Sequence, residues 1–149
     1  MESLVPASLF IAFLWGIQPV IHKYILKSID PKTIIILNTV FYSFFSIGFA
    51  IKYWRSVKKD WKKLTPIKLM WIGIAAILSG FVANLIYLFV LKKHQSYLVS
   101  ALIYAAPAFT LLLAYFLLKE DISVIGFIGV IMVIIGTICI ALNDHVFII

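Results

Sequence analysis

Trp15, Gln18 and His22 recur at i, i+3 and i+7, so a helix would carry an indole, a carboxamide and an imidazole on one face. The carboxamide both donates and accepts hydrogen bonds, and an imidazole titrates near neutral pH. Gly16 and Pro19 lie beside them. Pro19 removes a backbone donor and frees a carbonyl, which a membrane tolerates where the helix lines protein or a wet cavity. The face could therefore line a solute path. The plain alternative is that His22 and Lys23 reach out to a membrane interface. Other polar groups are spread over the chain. Asn38 and Tyr42 share one side, with Thr39, Ser43 and Ser46 close by; an amide at such a position most often binds a neighbouring helix. Gly73, Ala76, Gly80, Asn84 and Tyr87 form one stripe, small at one end and polar at the other. Ser100, Tyr104, Pro107, Leu111 and Tyr115 form another, with a kink expected at Pro107. Both stripes suit either a path or plain packing.

Much reactive chemistry has no residues to carry it. The acids are Glu2, Asp30, Asp60, Glu120, Asp121 and Asp144, and none lies inside an apolar run. A membrane-embedded carboxylate proton carrier is excluded. There is no phosphate-binding glycine loop, no metal-ligand spacing and no nucleophile–base pair. The lone Cys139 sits in an apolar run and has no partner for an intrachain disulfide. No enzyme activity, cofactor or metal is expected.

The elements that must position the polar residues follow from composition. Of 149 residues, 64% are hydrophobic and 13% charged, and the mean hydropathy is +1.10. Soluble domains carry about 45–50% apolar and about 25% charged residues, so an ordinary soluble fold is excluded. Five charge-free runs each approach the ~20 residues that cross a bilayer. They are too long, and do not alternate enough, for barrel strands. The first run has Glu2 and no Lys or Arg before it, so it is expected to remain as a helix and not to be cleaved as a signal peptide. The reading is an all-α, multi-pass integral membrane protein with a single five-helix domain over residues 1–149. Its helices are expected at about 3–26, 32–52, 66–91, 96–118 and 122–143, with a basic interfacial loop at 52–68. The cell membrane is the expected location.

The joints carry helix-start chemistry. Asp30-Pro31 and Thr65-Pro66 each place a capping side chain before a first-turn proline. Lys119-Glu120-Asp121 is short enough to force a tight antiparallel hairpin, with Asp121 as the expected cap of the last helix. Gly126, Gly129, Val133, Gly136 and Ile140 lie on one face of that helix, and the glycines suggest close contact with another helix.

The net charge of +7 is concentrated, with seven of thirteen Lys/Arg residues between Lys52 and Lys68. In that loop Trp54, Val57, Trp61 and Leu64 recur at helical spacing, with lysines between them. This suits a short amphipathic helix on the membrane; the plain reading is a solvated positive-inside loop with two interfacial tryptophans, and the alternative is specific binding of anionic lipid headgroups. No nucleic-acid partner is expected. With this loop cytoplasmic, Lys/Arg residues number eight inside and five outside. That bias is small enough to permit insertion in both orientations.

Several features then fall in one order. They are Trp15-Gly16-x-x-Pro19, Asn84 and Tyr87 followed by Lys92-Lys93, and Ser100-Ala101-Leu102 leading to Pro107-x-Phe109. Leu112-Leu113-Ala114, Leu117-Leu118-x-Glu120 and the spaced Gly126, Gly129 and Gly136 follow. Over essentially its whole length the chain resembles one EamA-type repeat of the drug/metabolite transporter superfamily. The resemblance implies one repeat of a 5+5 inverted-repeat fold and alternating-access transport of small solutes. Members usually carry two such repeats, and this chain shows one. In size it is similar to the small multidrug-resistance branch, whose subunits pair antiparallel, but it has five helices and lacks that branch's carboxylate in the first.

An odd number of helices puts the two ends on opposite sides of the membrane. A second copy inserted upside down would rebuild the inverted repeat. The expectation is an antiparallel homodimer whose cavity is lined by Trp15, Gln18, His22, Asn38, Asn84, Tyr87, Ser100 and Tyr104. Gly16, Pro19 and Pro107 would serve as bending points, and Gly126, Gly129 and Gly136 as packing positions. Amides and aromatics suit amphipathic or zwitterionic solutes such as amino acids, and His22 is the candidate for proton coupling. The alternative is a non-transporting membrane subunit, scaffold or half-unit that needs a distinct inverted partner. The polar residues spread over four helices favour the transporter.

Overall fold

The computed structural model describes residues 4–142. Sequence expectations at residues 3 and 143, like the acids Glu2 and Asp144, fall outside that range. Five helices are long and apolar enough to cross a membrane: α1 (Leu4–Ile25), α2 (Pro31–Lys52), α4 (Pro66–Lys93), α5 (Ser96–Leu118) and α6 (Val124–Leu142). A short helix, α3 (Trp54–Trp61), occupies the basic loop. No strand occurs among the described residues. The chain is an all-α, multi-pass integral membrane protein.

The described residues divide into two compact units, 4–21 with 94–142, and His22–Lys93.

In the second unit, α2 packs against the C-terminal half of α4. Leu26, Ile34, Ile35, Leu88 and Leu91 are its buried apolar residues. Asp30 caps α2 by accepting the Lys32 N–H at 2.9 Å, with Pro31 in the first turn. Thr65 Oγ1 accepts the Lys68 N–H at 3.4 Å and starts α4. α4 is not α-helical throughout, because Ala76–Val82 is a π-helical segment. The Ala83 N–H there reaches back to the Leu78 carbonyl. The wider π turn rotates less per residue than an α turn. The expected stripe from Gly73 to Tyr87 therefore does not continue along one face. Lys23 is half-buried: its Nζ donates to the Leu91 carbonyl at 2.7 Å and caps the end of α4.

In the first unit, α5 packs against α6, as the short joint of residues 119–123 requires. Val130, Ile134, Thr137 and Ala141 are the covered stripe of α6, Thr137 fully buried and the others half-buried. The glycine stripe lies about a quarter turn away on the helix. Nothing comes within 4 Å of a Cβ placed on Gly129 or Gly136. Among the described residues Gly129 and Gly136 thus make no close helix contact. Ser123, not Asp121, starts α6: its Oγ accepts the Gly126 N–H at 3.0 Å, because the helix begins at Val124, one residue beyond Ser123. Lys119 ends α5 in the left-handed conformation, φ 53°.

Candidate functional site

Pro19 is buried within α1, which remains helical through it. With no proline N–H, the Trp15 carbonyl loses its usual donor. In the same unit α5 is broken. Ser96–Ile103 and Ala106–Leu113 are separate α-helical segments joined at Tyr104 and Ala105. Pro107 causes the break by removing the donor for the Ile103 carbonyl. The turn lies just N-terminal to the proline. There the Ala105 N–H bonds only three residues back, to Leu102 at 3.2 Å, so the Ala101 carbonyl also loses its regular donor.

An open-sided groove of about 660 Å³ runs beside this break. Gly16, Pro19 and Val20 of α1 and Ser96, Tyr97, Ser100, Ala101 and Tyr104 of α5 line it. The volume falls within the ~300–1,000 Å³ of small-molecule sites. No lining residue is charged. The polar side-chain groups are the hydroxyls of Ser96, Ser100, Tyr97 and Tyr104, set on an otherwise apolar wall that includes two tyrosine rings. Gly16 keeps the wall low, since a Cβ there would meet nothing within 4 Å. Ser96 and Tyr97 were not singled out in the sequence. Their i−4 and i−3 spacing from Ser100 was the available signal.

The second unit holds a different polar group. His22 is buried, and its Nε2 lies 3.3 Å from Asn38 Nδ2. The Tyr87 ring is tilted against the imidazole, centroids 6.0 Å apart. His22 Nδ1 is buried with no protein partner among the described residues. Asn84 is committed to its own helix: Nδ2 donates to the Ser79 carbonyl at 3.0 Å and the Gly80 carbonyl at 3.1 Å. It satisfies acceptors left at the end of the π segment. Of the eight expected lining residues, Ser100 and Tyr104 meet in the groove, and His22, Asn38 and Tyr87 meet in the second group. Trp15 is exposed and Gln18 half-buried on α1. Among the described residues no cluster of His, Cys, Asp and Glu could hold a metal ion.

Five helices long and apolar enough to cross a membrane, one of them broken beside a groove with no charged lining, define a multi-pass helical membrane protein. The chain belongs to the EamA-like transporter family, whose model matches residues 4–142. No curated protein and no solved structure matches the chain.

Proposed function

We propose that the chain is a secondary transporter of small metabolites, amino acids or related amphipathic solutes. It works by alternating access as an antiparallel homodimer of a single five-helix domain over residues 1–149. The observation that carries the reading is the groove where Gly16 and Pro19 face Ser100 and Tyr104 beside the break in α5. Transporters bind solutes at such breaks, because unwound backbone offers polar groups inside the membrane without charged side chains. The neutral lining suits a solute whose own charges cancel, and the tyrosine rings suit its apolar part. Gly16, Pro19 and the Tyr104–Ala105 turn provide the bending points for rocking.

Topology supports the homodimer. Five crossings put the ends of the chain on opposite faces, and the small lysine bias permits both orientations. An inverted second copy restores a 5+5 arrangement about a two-fold axis in the membrane plane.

Two measurements test the reading. Reporters active only inside or only outside the cell are fused after Ile149. Signal from both supports dual insertion, and signal from the outer reporter alone overturns the antiparallel homodimer. Purified protein in liposomes is then assayed with a panel of radiolabelled amino acids. Uptake that Tyr104→Ala abolishes supports the groove as the path, and absence of uptake across the panel overturns the substrate class.

A further inference from the structure

Helix α3 lies outside the membrane-crossing segments, between the end of α2 at Lys52 and the start of α4 at Pro66. It is exposed along its whole length. Trp54 and Trp61 are 61% and 63% exposed, and Val57 shares their face at i+3. Arg55, Lys58, Lys59 and Lys62 fall at i, i+3, i+4 and i+7 on the adjacent flank. None of these four side chains makes an ion pair or hydrogen bond with the described residues. The one acid of the segment, Asp60, is taken by Lys63 at 2.8 Å on the far flank. The helix thus presents two uncovered indoles and, beside them, a row of four unpaired cations.

We propose that α3 is a docking surface for acidic phospholipid headgroups. Both adjoining helices enter the membrane within a few residues of it, so α3 is held at the lipid surface. The indoles fit the boundary between headgroups and acyl chains, and the cation row fits the phosphate layer above it. A soluble acidic partner would account for the cations but would leave the indoles in water. The proposal does not depend on what solute the chain carries.

The test uses the full chain in bilayers of phosphatidylcholine containing either spin-labelled phosphatidylglycerol or spin-labelled phosphatidylcholine. The fraction of each lipid held at the protein boundary gives a relative association constant. The expected preference for phosphatidylglycerol is several-fold, with each surface cation contributing about five-fold at most. Lys58→Gln/Lys59→Gln/Lys62→Gln should bring the ratio close to one. Lys27→Gln/Lys32→Gln, at the other end of α2, should leave it unchanged. High salt should lower the wild-type ratio, a measurement that needs no variant. A wild-type ratio of one overturns the proposal, as does a ratio that the triple substitution or salt does not reduce.

Discussion

Asn38 Nδ2 lies 3.3 Å from His22 Nε2, so a carboxamide on α2 and an imidazole near the end of α1 are joined. In the tautomer that carries its proton on Nδ1, Nε2 accepts from the amide nitrogen. Polar pairs between membrane helices contribute about 0.6 kcal/mol on average and at most about 1.7. Asn38→Leu should therefore destabilise the protein by about 1 kcal/mol in detergent unfolding. A double-mutant cycle with His22→Leu should return a coupling of about 0.6 kcal/mol. Zero coupling would show that the pair does not hold the helices.

The same pair offers a way to sense protons. If His22 took up a proton, both ring nitrogens would donate. Asn38 would then have to turn its carboxamide and present Oδ1. His22→Gln keeps a hydrogen-bonding group but does not titrate. Amino-acid uptake by that variant should lose its dependence on pH between about 5 and 8, where histidine changes charge. An unchanged pH profile removes His22 from proton coupling.

Gly16 separates the groove from fold stability. A Cβ at this position meets nothing within 4 Å among the described residues, so a side chain can start here, and Gly16→Leu adds bulk to the groove. Uptake should fall about ten-fold or more, equivalent to about 1.4 kcal/mol, while the melting temperature stays near wild type. Gly16→Ala adds only a methyl and favours the helix by up to about 1 kcal/mol, so it should melt higher and still transport. Equal uptake by Gly16→Leu would place the solute elsewhere.

What the sequence made legible was whatever depends on length, charge and short spacing. The five crossings, the caps at Asp30 and Thr65, the α5–α6 hairpin and a break caused by Pro107 all follow from neighbours along the chain. What it hid depends on which face turns inward. α6 is apolar all round, so hydrophobicity cannot distinguish the Val130–Thr137 face that packs from the glycine face that does not. The π segment of α4 leaves no periodic mark either. It is visible only when Asn84 is seen donating to the Ser79 and Gly80 carbonyls. The cap that Lys23 places on α4 was hidden because its acceptor, the Leu91 carbonyl, lies far along the chain. The groove was half legible: Ser100 and Tyr104 stood out, while His22 and Asn38 joined a different group.

Lys119 offers a test of local backbone chemistry. It ends α5 with φ 53°, in the region that costs a residue with a Cβ about 1–2 kcal/mol. The conformation persists because it closes the helix: the N–H groups of Lys119 and Glu120 both reach the Ala114 carbonyl, Glu120 at 3.2 Å. Glycine adopts this geometry without the Cβ clash, although its looser unfolded chain returns part of the gain. Lys119→Gly should therefore stabilise the protein by about 0.5–1 kcal/mol in detergent unfolding. Lys119→Val, branched at Cβ, should destabilise it by more than that gain. Glycine and valine variants of equal stability would mean that the turn after α5 is not held left-handed, and that the α5–α6 hairpin closes by another route.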